Sequence, residues 1–159
     1  MLLNIPVKPH VLKFLEEKYP EGYTLNERDH IGTIIYTLVR RQANWKHYEK
    51  FLNQYIENFH VEVPEKLFFR ESCRHLTAFT ICKFNSIIEG IMRDQCMYHL
   101  FLVQDVVPLK HAIYKWLEFY DIEEGGSFNY RSLAKHFQRF MEAKKNEKRC
   151  LNNVAQKSA

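Results

Sequence analysis

The stretch Thr77–Val103 constrains the fold most. Phe84, Ile87, Ile88, Ile91 and Leu102 recur at helical spacing on one face, and Phe79, Cys82, Met97 and Leu100 fill much of the rest. A helix that is apolar on most sides is a central one, surrounded by other elements. Glu89 and Arg93 stand four apart in the favourable order for an ion pair on the polar strip that remains. Asp105 and Pro108 mark the end.

Shorter amphipathic helices flank it. Pro9 suits a first helical turn, and Val11, Leu12, Leu15 and Tyr19 follow at helical spacing before Pro20 and Gly22 stop the run. Thr24 and Glu27 have the spacing of a capping box for a helix carrying Ile31, Ile34, Ile35 and Leu38 and closing on Arg40 and Arg41. Leu109 to Tyr120 turns Ala112, Ile113, Trp116, Leu117 and Tyr120 inward. A last helix, Phe128 to Arg149, buries Tyr130, Leu133, Phe137, Phe140 and Met141, with Ser127 or Asn129 as its cap. Trp45 to Val63 fits two readings. Trp45, Tyr48, Leu52, Tyr55, Ile56 and Phe59 fit a helix, whereas Phe59, Val61 and Val63 alternate as a strand ending at Pro64. A second strand near Leu67–Arg70 would complete a short β-hairpin. Met1–Val7 reads as an extended lead-in.

The fold class that follows is mainly α: a compact helical domain, residues 1–145, around a long central helix, with room for a short β-hairpin. Residues 146–159 form a basic, frayed tail. The low count of glycine and proline, five each, disfavours a many-turned sandwich. No apolar run approaches the roughly 18 residues of a membrane span. Met1–Val7 lacks the basic region and length of a secretory signal, and no C-x-x-C pair occurs among Cys73, Cys82, Cys96 and Cys150. Free thiols in a reducing cytoplasm are expected.

Charge is distributed unevenly. Residues 1–126 hold 15 Lys/Arg against 17 Asp/Glu, and residues 127–159 hold 8 against 2, so the last fifth supplies the whole surplus of the +4 chain. In the last helix Arg131, Lys135, Gln138, Arg139, Glu142 and Lys145 lie opposite the apolar stripe, and Lys144 adds to the cations. Such a face can neutralise phosphates without reading bases. A solvated charged face explains the same pattern without a partner. Arg40, Arg41 and Lys46 interleave with Trp45 and Tyr48, a mixture that also holds single strands by stacking; core aromatics with a wet side are the plainer reading.

Other chemistries fit poorly. The loop Asp121–Phe128 is about twice as long as the turn of three or four residues in a DNA-binding helix-turn-helix, and it is acidic. Read as a calcium loop from Asp121, it has Gly125 at position 5 and Ser132 at position 12, where a bidentate glutamate belongs. Cys73, His75 and Cys82 match no common zinc spacing. No glycine elbow surrounds a serine, and no phosphate loop is present. No catalytic residue, metal or cofactor is therefore assigned.

Ile5-Pro6-Val7-Lys8-Pro9-His10, Phe84-Asn85-Ser86-Ile87-Ile88-Glu89 and Tyr130-Arg131-Ser132-Leu133 together resemble small uncharacterised proteins of bacterial plasmids, phages and conjugative elements. The likeness covers most of residues 5–140. It implies a mobile-element setting and transfers no functional residue. The expected function is non-catalytic binding of nucleic acid, DNA first, through Arg131, Lys135, Arg139, Lys144 and Lys145, helped by Arg40, Arg41 and Lys46. The alternative is a protein-interaction or self-associating module, with an acidic protein or a second copy as partner, docking through aromatics such as Trp45, Tyr48 and Tyr55.

Overall fold

A computed structural model describes the backbone of all residues except 20–21, 41–45, 71–75, 126–127 and 158–159. Side chains of residues 46–47, 70 and 148–157 are also outside the description. The chain divides into two compact units, Met1–Ile91 and Met92–Ala159. The long helix belongs to both.

Unit 1 begins with strand β1, Leu2–Val7, whose Leu3, Ile5 and Val7 are buried while Leu2 and Asn4 are exposed, the period of two that a half-buried strand requires. Its antiparallel partner is β2, Glu57–Glu62, in the register Leu3 to Val61 and Ile5 to Phe59. The β element is therefore present, but its second strand is the lead-in and not Leu67–Arg70. Those residues belong to a short helix, α3, Glu65–Arg70. The Pro64 carbonyl starts it by accepting from the N–H groups of Leu67 and Phe68 at 2.9 and 3.0 Å. Ahead of β2 runs a 3-10 helix, Lys46–Gln54, so the described residues 46–63 are helical first and extended afterwards.

Helix α1, Pro9–Lys18, opens with proline in its first turn, where the missing N–H is no loss, and buries Val11, Phe14 and Leu15. Helix α2, His30–Arg40, buries Ile31, Ile35, Leu38 and Val39. Its cap is Asp29, not the expected Thr24 box: Oδ1 accepts from Gly32 N at 2.6 Å, and Tyr23 Oη donates to the same carboxylate. Thr24 is used elsewhere. It bridges to Glu62 beside β2, its hydroxyl donating to Glu62 Oε2 at 3.2 Å.

Helix α4, Ala78–Val103, lies within one residue of the expected span, with Thr77 capping it through Thr80 N at 3.2 Å. In unit 1 it buries Phe84 and Ile88, and Phe84 lines a small cavity together with Ile5 of β1 and Ile35, Leu38 and Val39 of α2. Two polar side chains tie this half of α4 to the start of the chain. Asn85, almost wholly buried, accepts from Lys8 N at 3.0 Å and donates to Pro6 O at 3.0 Å and Ile81 O at 2.9 Å. One turn on, Glu89 Oε1 holds Lys8 Nζ and His10 Nε2, each at 2.8 Å. The expected Glu89–Arg93 pair is thus not formed, because Glu89 has better-placed partners far away in sequence.

Unit 2 takes the second half of α4, which buries Met92, Cys96, Met97 and Leu100. Leu102, expected on the buried face, is 78% exposed. Helix α5, Leu109–Phe119, turns Ala112, Ile113, Trp116 and Leu117 inward. It ends in a Schellman arrangement: Asp121 takes the left-handed φ of 48°, its N–H bonds Glu118 O, and Ile122 N bonds Leu117 O. Helix α6, Tyr130–Lys157, starts on Asn129, whose Oδ1 accepts from Ser132 N at 2.9 Å, and the Glu124 carboxylate accepts from Tyr130 N. The described backbone of α6 is helical as far as Lys157. Leu133 and Phe137 bury it, and ring contacts Tyr98–Phe140, Tyr114–Tyr130 and Trp116–Phe128 join the three helices.

Candidate nucleic-acid interface

Because α6 buries Leu133 and Phe137, the residues about half a turn away must face solvent. Arg131, Lys135 and Arg139 occupy i, i+4 and i+8, so one stripe carries a cation about every 6 Å of helix rise. All three are exposed, as are Lys145 further along and Glu142 beside them. Among the described residues none of Arg131, Lys135, Arg139 and Lys145 is ion-paired with a carboxylate. Lys144 differs. Its ammonium lies 3.0 Å from Glu147 and 5.8 Å from the centre of the Phe140 ring, and Glu147 raises its pKa through that bond and charge. It is the expected contact residue that the fold partly occupies.

Arg40 lies in unit 1, at the end of α2, with its guanidinium 4.7 Å over the Tyr36 ring. Arg41 falls outside the described residues, as do Trp45 and the side chain of Lys46.

Two residues that the sequence reading left out stand beside this set. His136, on α6, has its pKa held below the usual imidazole value, first by burial and then by the charges of Arg93, Arg139 and Lys135. Burial is the larger cause, and the three cations add to it by disfavouring a further positive charge on the ring. Arg93 reaches it from α4, its guanidinium 5.9 Å from the centre of the Phe128 ring. Sequence alone offered no signal for Arg93, because Glu89 four residues earlier is an obvious local partner.

A groove of about 670 Å³ lies elsewhere in unit 2, with Gln95 and His99 from α4 and Trp116, Phe119 and Tyr120 from α5 in its walls. Phe119 is 67% exposed, α4 leaves Tyr98 and Leu102 exposed one turn apart, and Val106, in the turn after it, is exposed too. The aromatics expected to form a docking patch behave differently. Tyr48 is half-buried with its ring 5.3 Å from that of Phe79, and Tyr55 is half-buried too.

Among the described residues no three His, Cys, Asp or Glu side chains gather as a metal site, and Cys73 and His75 lie outside them. Cys82 and Cys96 are buried thiols, and burial pushes the Cys96 thiol up to about 12. No described helix is long and apolar enough to cross a membrane. Comparison with protein-family models, curated proteins and solved structures gives no match to this chain.

Proposed function

We propose that this protein binds nucleic acid, DNA in the first place, without catalysis, and that the outer face of α6 is the contact surface. Arg131, Lys135, Arg139 and Lys145 bond phosphate oxygens, with Lys144 adding less because Glu147 competes for it. The observation that carries the reading is the stripe itself. Three exposed cations recur every helical turn with no carboxylate on any of them among the described residues, and a fourth follows. Contacts of this kind position a duplex and release counterions; they do not read sequence. Arg40, Arg41 and Lys46 are an auxiliary set in unit 1. The setting we infer is the cytoplasm and the business of a mobile element, as the resemblance of residues 5–10, 84–89 and 130–133 implies.

The test is a labelled duplex of random sequence and a matching single strand, titrated at two salt concentrations. Binding that weakens steeply with salt, and that Arg131→Gln, Lys135→Gln and Arg139→Gln together abolish, supports the reading. No binding at low salt ends it. A second reading has its own observation. Leu102 and Val106 are 78% and 84% exposed, which suits a protein partner or a second copy, and light scattering over a range of concentrations tests the latter.

A further inference from the structure

Arg93 is only partly exposed, and its surroundings do not balance its charge. A charge drawn away from water is ordinarily paired and hydrogen-bonded. The Arg93 Nε is enclosed and has no hydrogen-bond partner. The Phe128 ring beneath it offers an aromatic face but no acceptor. Among the described residues no carboxylate is paired with the guanidinium. Glu89, the carboxylate one turn back on the same helix, is bonded to Lys8 and His10. Toward α6 the neighbours are cationic as well, since Arg93, Arg139 and Lys135 all act on His136. Arg93 from α4 and Lys135 and Arg139 from α6 thus all act on His136, and among the described residues no carboxylate is paired with any of these three cations. Folding accepts repulsion at this point, and a ligand of opposite charge would remove it.

We propose that Arg93, His136 and Arg139, with Lys135 at the rim, form a discrete oxyanion seat that takes one phosphate group. The inference rests on the reading of α6 as a phosphate-binding face and adds α4 to it. An arginine fork suits the site because it bonds two phosphate oxygens at once, and the apolar ring below it strengthens each bond by excluding water. The phosphate chemistry is common to a nucleic-acid backbone and a free phosphomonoester, and the experiment separates those sources.

Inorganic phosphate is titrated into the full chain at constant ionic strength, with chloride as the balancing salt. The readouts are the ring signals of His136 by NMR and the thermal midpoint. In the wild type the His136 signals should move saturably and the midpoint should rise. In Arg93→Met both responses should vanish, while the phosphate-free midpoint stays at or above that of wild type, since an unbalanced charge has been replaced by an apolar side chain of similar reach. Arg93→Lys should keep a weaker response, having charge without the fork. If Arg93→Met fails to fold, Arg139→Gln and Arg93→Lys carry the comparison. A His136 that ignores phosphate in the wild type, or follows it equally in Arg93→Met, overturns the proposal.

A short duplex and a 5′-mononucleotide then distinguish the sources. Loss of about tenfold in duplex affinity in Arg93→Met supports the backbone as ligand. Loss confined to the mononucleotide supports the free phosphomonoester. Duplex binding that persists unchanged, with no phosphate response, overturns this seat and leaves the α6 stripe standing. A phosphate response without duplex binding supports the seat and overturns the stripe.

Discussion

Replacing Asn85 with alanine tests how the start of the chain is held to α4. The side chain is 1% exposed, and its amide serves three backbone groups: Lys8 N, Pro6 O and Ile81 O. Alanine strands two of them, the Lys8 N–H and the Pro6 carbonyl; Ile81 O lies within α4 and keeps its helical environment. A buried donor or acceptor left unsatisfied costs about 1–3 kcal/mol. Two such groups, less what one water in the vacated space recovers, give an expected loss of about 3 kcal/mol. That is a large part of a stability of about 5–15 kcal/mol, so the urea midpoint should fall well clear of error. Asn85→Asp separates hydrogen bonding from volume. It keeps an acceptor for Lys8 N but aims a second oxygen at two carbonyl oxygens. Burial and that repulsion raise the folded pKa of the new acid above its unfolded value. The deficit relative to wild type is then full at neutral pH and shrinks as pH falls through the folded pKa, where the protonated acid can donate to Pro6 O. A loss below about 1 kcal/mol for alanine would refute the reasoning, because ordinary surface changes reach half that. So would an aspartate variant whose deficit is flat with pH.

Three further outcomes follow from single contacts. Burial alone would raise the pKa of Glu89, but the bonds and charges of His10 and Lys8 outweigh it and hold the carboxyl below the usual range. Its contribution is therefore present above the unfolded value and lost as pH falls through the lowered folded one, so Glu89→Gln should lose less stability than wild type between about pH 5 and pH 3 in urea titrations. A Cβ on Gly32 would overlap the Asn26 carbonyl oxygen and press on Tyr23 Oη, and backbone cannot give way easily. Gly32→Ala should cost about 2 kcal/mol despite a gain in helix propensity of about 1 kcal/mol, and a higher melting temperature would deny the close approach. For duplex binding, Lys145→Gln should reduce the slope of log affinity against log salt by about 0.9, and Lys144→Gln by less because Glu147 already holds it. Equal slopes would show that this pairing withholds nothing from the ligand.

The legible parts of the fold were those whose reasons are local. The periodicity of α4, α5 and α6 is carried within each stretch, and the Asn129 cap sits next to the helix it starts. The β pairing is not local. Phe59 and Val61 announce a strand, but their partners Ile5 and Leu3 lie at the other end of unit 1, and nothing within residues 57–70 points to them. Without that partner, the nearest apolar stretch, Leu67–Arg70, is what the sequence offers as a second strand, although Pro64 and Glu65 before it favour a helical first turn. The Thr24 box failed for the same reason. Thr24 and Glu62 meet across the sheet, and the capping work passes to Asp29, which also receives the Tyr23 hydroxyl. Leu102 was misplaced because a helix apolar on most sides gives periodicity little to choose between.

The candidate site divides along the same line. Arg131, Lys135 and Arg139 could be found from spacing, since an exposed stripe is a property of one helix. Arg93 could not, because its neighbourhood is decided by where Glu89 spends its charge. The resemblance stretches 5–10 and 84–89 touch one another: Asn85 bonds residues 6 and 8, and Glu89 bonds residues 8 and 10. Their polar residues thus have a sufficient structural reason, the attachment of β1 and α1 to α4, and need no chemistry to explain them. That attachment also has an electrostatic consequence further along the same helix. A glutamate four residues before an arginine would normally neutralise it for a few tenths of a kcal/mol. Here the carboxylate is committed to Lys8 and His10, and among the described residues no other carboxylate is paired with Arg93. The carboxylate that fastens β1 and α1 to α4 is thereby withheld from the arginine one turn further along the same helix.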